Sequence, residues 1–225
     1  MTPYPAYVFD AYGTLFDVHS AVARHRGAVG PKAAEISDLW RVKQLEYTWT
    51  RTLMGAYRDF REVTAQALDF AAARHGGISA ATRGKLLLAY ETLDAYPDAK
   101  PTLAALKKAG VKTAILSNGT PDMLAKAVAS AGMGDLLDAS LSIHELRAFK
   151  TTPAAYGLVE RYLGVAPGDV SFQSSNRWDV AGGVKFGFRG VWINRTDAPE
   201  EYTDLAPAKT LPGLAGLLEE VARNP

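Results

Sequence analysis

Residues 7–17 read YVFDAYGTLFD. The apolar run Tyr7-Val8-Phe9 follows a proline and stops at Asp10. A turn through Ala11, Tyr12 and Gly13 comes next, and the chain resumes with Leu15-Phe16-Asp17. An apolar run bounded by Pro and Gly predicts a buried strand over residues 5–10. Such a strand delivers the carboxylate of Asp10 to its end. The residue two further on is Tyr12 rather than a second acid, and that difference narrows the chemistry.

The pattern then changes. From about His19 to Tyr96 the periodicity is helical, with Leu39, Trp40, Leu45, Trp49, Leu53 and Met54 at helical spacing in EISDLWRVKQLEYTWTRTLM. FREVTAQALDFAAARHGG continues it and ends on a Gly pair suited to a C-cap. Ser79 opens another helix through about Glu91. After YPDAKP strands and helices alternate. Helix 101–109 precedes a strand in VKTAILSNG, and a helix from Pro121 to Gly132 precedes a short strand in DASLS. Helix 153–163 precedes a strand in DVSFQSSN, a helix in DVAGGVKFG precedes a strand in GVWIN, and Pro212 begins a last helix over 212–222. This alternation predicts an α/β fold with a Rossmann-like parallel sheet and helices on both faces. The helical stretch reads as an insertion after the first strand. Residues 1–16 and 97–225 form the expected core, and residues 17–96 a helical cap.

Composition excludes several classes. The chain has 225 residues, enough for a sizeable core, with 48% apolar and 22% charged residues. Net charge is +1 with no basic run, so nucleic acid and anionic membrane are not expected partners. No cysteine is present, so there is no disulfide framework or thiolate metal site, which fits a cytoplasmic location. The first residues do not read as a signal peptide, and no apolar stretch approaches the ~20 residues of a membrane span.

Polar clusters follow three strands: Asp10 and Thr14 the first, Ser117 and Asn118 the second, and SSNRWD, residues 174–179, the fourth. In an open α/β sheet these strand ends form the ligand crevice. Lys150, in FKTTPAAY just before a helix, adds a cation. Each has a plain alternative. Asp, Ser and Asn after strands are ordinary turn and cap residues, Lys150 and Arg41 are solvated charges, Asp179 is an acid at a helix start, and Trp178 is core. Their joint occurrence in this order favours a site.

Together FDAYGTLFD, LSNG, FKTTPAAY and SSNRWD resemble the four motifs of the haloacid dehalogenase superfamily, over nearly the whole chain. Most of that superfamily are Mg²⁺-dependent phosphohydrolases with a second Asp two residues after the nucleophile and paired acids in the fourth motif. This chain has Tyr12 at the first place and Ser174-Ser175-Asn176 at the second, with Asp179 the remaining acid. A hard divalent cation wants several oxygen ligands, so no metal and no cofactor is expected. These departures, and the segment WRVKQLEYTWTRTLMGAY, resemble the L-2-haloacid dehalogenase branch. The resemblance implies a hydrolase of short (S)-2-haloalkanoic acids giving (R)-2-hydroxy acids through a covalent aspartyl ester. Asp10 is then the nucleophile, and Arg41, Asn118 and Trp178 receive the halide. Ser117 and the backbone at Ala11 and Tyr12 bind the substrate carboxylate, and Tyr12, Leu45, Phe60 and Trp178 wall C2. Lys150 orients Asp10, Thr14 supports its turn, and Asp179 activates water with Ser174 and Asn176. Val42 stands where some relatives have glutamine and is expected to tune pocket polarity. Arg177 either lines the mouth or is solvated, and the solvated reading is favoured. A homodimer through the apolar cap helices is also implied. The alternatives are a phosphohydrolase with a degenerate metal site, a non-catalytic protein that kept the fold, and a hydrolase opening a strained ring beside a carboxylate.

Overall fold

The computed structural model describes residues 4–219. Strand β1 (Ala6–Phe9) is wholly buried. A helical segment follows: α1 (Ser20–Arg24), α2 (Arg26–Val29), α3 (Ala33–Leu53), α4 (Phe60–Arg74) and α5 (Ala80–Tyr90). The alternating part comprises α6 (Ala99–Lys108), β2 (Lys112–Ser117), α7 (Pro121–Ser130), β3 (Ala139–Ser142), α8 (Pro153–Leu163), β4 (Val170–Ser174), α9 (Arg177–Phe186), β5 (Arg189–Ile193) and β6 (Lys209–Leu211). The strands form one sheet in the order β3-β2-β1-β4-β5-β6, every pair parallel. β1 therefore lies between β2 and β4, where the strand order reverses. The three strands that end in polar turns are neighbours.

Local chemistry accounts for the element ends. Asp59 and Ser79 cap α4 and α5, their side chains accepting from Glu62 N and Thr82 N. Pro121 and Pro153 begin α7 and α8, where a missing N–H costs nothing. Gly164 ends α8 at φ 64°. The two chain segments linking sheet and helical segment run side by side, with Asp17 N donating to Asp94 O (2.8 Å) and Tyr96 N to Leu15 O (2.9 Å).

One element is added to the sequence reading and one expectation changes. The edge strand β6 has no counterpart there, because three residues are too short to carry an alternation pattern. The helix expected over 212–222 is, in its first part, a 3₁₀ turn at Leu214–Leu217, and residues 220–222 of it lie outside the described residues. Leu214 and Leu217 are fully buried, and Leu214 N donates to Asp98 Oδ2 (2.8 Å), so a tight turn seats both leucines against the body of the protein.

α9 carries much of the site and is held close to β5 by Gly190. A Cβ at Gly190 would lie 2.6 Å from Val184 Cγ2 and 2.8 Å from Val180 Cγ1. Gly190→Ala should therefore push α9 off the sheet and destabilise the protein by about 1–3 kcal/mol. Denaturant unfolding reads this directly; an unchanged midpoint would mean that the helix–strand contact yields freely.

Candidate active site

The turn after β1 is shaped by Gly13, whose φ of 97° suits glycine. It folds Thr14 back so that its hydroxyl donates to Asp10 Oδ2 (3.1 Å) while accepting from Ser175 N (2.8 Å). Asn176 Nδ2 also donates to Asp10 Oδ2 (2.8 Å), and Ser174 Oγ lies at 3.5 Å from the same oxygen. Oδ1 faces a different partner, the Lys150 ammonium at 3.1 Å. The two oxygens of one carboxylate are thus in unlike surroundings.

Lys150 is 1% exposed, which removes the reading of it as a surface lysine. Its ammonium bridges Asp10 and Asp179, the latter at 2.9 Å, and its N–H donates to Asn118 Oδ1 (3.0 Å). Burial alone would push its pKa down; Asp10 and Asp179 outweigh burial and hold it above the usual lysine range. Asp179 is fully buried. Burial, opposed by Lys150 and reinforced by the charge of Asp10, pushes its carboxyl up to about 6. Its Oδ1 accepts from the Tyr156 hydroxyl at 2.9 Å.

The helical segment supplies the second cation. Arg41, on α3, donates through Nη2 to Tyr12 O (3.1 Å) and Asn176 Oδ1 (3.0 Å), and through Nη1 to Gln44 Oε1 (2.9 Å). Gln44 is buried and held in turn by Thr64 Oγ1 (2.7 Å) and the Tyr90 hydroxyl (3.0 Å). Between the two layers lies a cavity of about 10 Å³. Its polar walls are Asp10, Arg41, Ser117, Asn118 and Asn176, and its apolar walls Tyr12, Leu45, Phe60 and Trp178. That space suits about one water molecule, so the site is drawn closed. Tyr12 is buried among aromatic rings, stacked on Tyr90 with centroids 5.6 Å apart and tilted to Phe60 at 5.2 Å.

The predicted residues thus converge, with Ala11 buried in the same turn. Two expectations fail. Arg177 is not solvated: it is 3% exposed, with Nε paired to Glu200 and Nη2 donating to Tyr202 O (3.0 Å) and Leu205 O (2.9 Å). It pins the chain after β5 onto α9 and is not among the residues walling the cavity around Asp10. Val42 is 56% exposed and absent from the cavity wall; Gln44 is the amide that meets Arg41. On α3 the step from Arg41 to Val42 turns about 100°, out of the site, whereas Gln44 and Leu45 return to Arg41's side. Sequence reasoning also missed Tyr156. Its signal was the Gly pair inside α9: a Cβ at Gly182 would fall 2.2 Å from the Tyr156 hydroxyl, so glycine there makes room for it.

The Tyr156 contact has a measurable consequence. Its hydrogen bond favours the ionised form of Asp179 and draws the pKa down against burial. Tyr156→Phe should move the Asp179 carboxyl above its present value of about 6. Carboxyl-carbon NMR titration follows this, and an unmoved or lowered midpoint would refute the assignment.

Comparison with known proteins gives a consistent picture. Residues 4–187 match the family of haloacid dehalogenase-like hydrolases. The chain is 46% identical over 224 residues to (S)-2-haloacid dehalogenase 1 of Pseudomonas sp. (strain CBS-3), covering 99% of both chains. It is 49% identical over 205 residues to (S)-2-haloacid dehalogenase 4A of Burkholderia cepacia, covering 91% of this chain and 88% of that one. It also superposes, with a TM-score of 0.88 and 41% identity over 98% of this chain and 99% of the other, on L-2-haloacid dehalogenase from Xanthobacter autotrophicus with chloropropionic acid covalently bound. With its parallel sheet, its helical segment after β1 and its motif residues gathered at the strand ends, this chain belongs to the haloacid dehalogenase-like hydrolase family.

Proposed function

We infer that the protein is an (S)-2-haloacid dehalogenase, hydrolysing short 2-haloalkanoic acids to (R)-2-hydroxy acids through an ester on Asp10. The observation that carries the reading is the pair of unlike carboxylates joined by one buried ammonium, with Tyr12 where a metal ligand would stand. Asp10 Oδ2 accepts from both the Thr14 hydroxyl and the Asn176 amide whereas Oδ1 meets the Lys150 ammonium alone, so Oδ1 is the freer oxygen to attack. It displaces halide from C2, taking the carbon while the bond pair leaves with the halogen. Arg41, Asn118 and the Trp178 edge receive that charge as it develops. Ser117 and the backbone at Ala11 and Tyr12 hold the substrate carboxylate. Asp179, with a pKa of about 6, takes a proton from water as the oxygen adds to the ester carbonyl of Asp10. The bond to the substrate oxygen then breaks, the departing alkoxide takes the proton back from Asp179 to leave as hydroxy acid, and Asp10 returns to a carboxylate by losing its proton to solvent. Ser174, Asn176 and Lys150 position water and base. Because water attacks Asp10 and not C2, C2 is inverted once.

The Lys150 ammonium occupies the space between Asp10 and Asp179. A divalent cation there would have to displace a buried charge already held by both acids. Among the described residues no group of three or more His, Cys, Asp or Glu is arranged to hold a metal. A phosphohydrolase reading has no such support. The division into a core, 1–16 and 97–225, and a cap, 17–96, belongs to the same reading, with the paired linkers as the hinge. So do a cytoplasmic location and a homodimer through cap helices, which expose Val42, Phe70 and Leu88. No described helix is long and apolar enough to cross a membrane.

Halide release from the two enantiomers of 2-chloropropionate tests the reading. The (S) form should yield (R)-lactate, with the rate unchanged after exhaustive chelation. Retained configuration, or turnover restored only by Mg²⁺, would overturn it. The half-reactions should also separate. Asp10→Ala should release no halide, while Asp179→Asn should release up to one halide per site and stall with the acyl group on the Asp10 peptide. In the parent enzyme, lowering the pH through about 6 protonates the base, so steady turnover should fall while the first halide burst persists. Full multiple turnover by Asp179→Asn would place the base elsewhere.

A further inference from the structure

An outer groove of about 670 Å³ lies beside the closed site. Lys150 and Trp178 line it, and Trp178 also walls the small cavity around Asp10. The rest of its apolar lining comes from Trp49, Leu53, Pro153, Ala181, Phe186 and Leu205. Its charged lining residues, Lys150 and Lys185, are both cationic.

We propose that this groove is the subsite for the alkyl tail of longer 2-haloalkanoic acids, entered past the Trp178 indole. The inference rests on the dehalogenase reading and extends it to chain length.

Two independent features favour a substrate tail. One is continuity along a single helix face. Arg41 and Leu45 on α3 wall the inner cavity, and Trp49, Thr52 and Leu53 line the groove. Spacings of three and four residues put these side chains in a row. From Leu45 to Leu53 the row spans about 12 Å of helix axis, so one helix leads from C2 out into the groove. Trp49 and Trp178 meet edge to face at 5.3 Å where the two spaces adjoin. The other feature is size and polarity. The inner cavity, about 10 Å³ as closed, has to open even for the reacting end of a substrate and has no spare volume for an alkyl chain, so any longer chain must extend beyond it. The outer groove offers apolar walls, with Leu53 87% exposed and Trp49 37% exposed to water. Cationic Lys185 on its wall favours approach of an anionic acid.

The experiment measures kcat/KM for (S)-2-bromo acids from propionate through butanoate and hexanoate to octanoate. If the tail is buried, the value should hold or rise with length, by up to roughly fourfold per methylene that leaves water. In Leu53→Glu the octanoate-to-propionate ratio should drop at least tenfold relative to the parent. Leu53→Ser, which removes apolar surface without adding charge, should move the ratio in the same direction and covers the case in which glutamate disturbs folding. Sedimentation velocity on the same samples reports the oligomeric state. A parent kcat/KM that declines at every added carbon, with propionate still turned over, overturns the tail subsite and leaves the dehalogenase reading intact. An unchanged ratio in both variants also overturns it; if Leu53→Glu at the same time dissociates a dimer, the groove is covered by a second copy. Failure to release halide from any member of the series, propionate included, defeats the dehalogenase reading itself.

Discussion

The structure depends on one buried ammonium. Lys150 is shielded from water and stands between Asp10 and Asp179, with nitrogen–oxygen distances of 3.1 and 2.9 Å. Burying an unpaired charge costs several kcal/mol, and burying two carboxylates without a cation would add their mutual repulsion. The three groups therefore stabilise one another only as a set. They come from three distant segments: the turn after β1, the approach to α8 and the first turn of α9. Holding the set together requires that β1 and β4 be neighbours and that α8 pack beside α9. The Tyr156 hydroxyl and Gly182 serve that requirement directly, since the ring reaches Asp179 only where α9 lacks a side chain. The fold's topology and the chemistry at the strand ends are thus one constraint.

In the proposed mechanism that same set divides the labour between two carboxylates. Asp10 has hydrogen bonds to one oxygen and an ammonium at the other, and sits at the edge of the cavity. Asp179 is sealed behind Lys150, and burial brings its pKa to about 6. An ionised group at the cavity suits attack on carbon, whereas a group that binds a proton near neutrality suits activating water. With the ammonium fixed between them, neither role needs a metal to supply positive charge.

Much of this was legible because it is local. Strand β1 is an apolar run, the cap Ser79 and the helix-starting Pro121 are single residues, and the polar residues lie at or shortly after their strand ends. The parallel sheet followed from alternation, and convergence of Asp10, Ser117 and Asp179 from the general placement of ligands at strand ends. What escaped is what depends on tertiary contacts. β6 is too short for a period. Arg177 reads as a surface charge until Glu200 and the carbonyls of Tyr202 and Leu205 fold over it. Val42 was assigned to the pocket by likeness to relatives, though its neighbour Arg41 already faces inward, and two adjacent helix positions do not share a face. The burial of Lys150 has no sequence signature beyond its motif.

The site also shows why the helical segment cannot be a passive cover. The sheet contributes Asp10, Asp179 and the Lys150 ammonium, but Arg41 comes from α3 and reaches across to Tyr12 O and Asn176 Oδ1. Asn176 is a hinge of charge: its Nδ2 donates to Asp10, and its Oδ1 accepts from Arg41. One amide therefore ties the Asp10 carboxylate to the Arg41 guanidinium and fixes their separation. Such a tie orients the attack, but it also closes the cavity to about 10 Å³, too small for substrate. Substrate entry must loosen either the Arg41 contacts or the Trp49–Trp178 wall. The wall is the weaker of the two, since it is a single aromatic contact with no hydrogen bond between the rings, whereas Arg41 is held by three acceptors. Loosening that wall alone would leave the hydrogen bonds among Asp10, Asn176 and Arg41 in place, so the polar groups would not have to be reassembled.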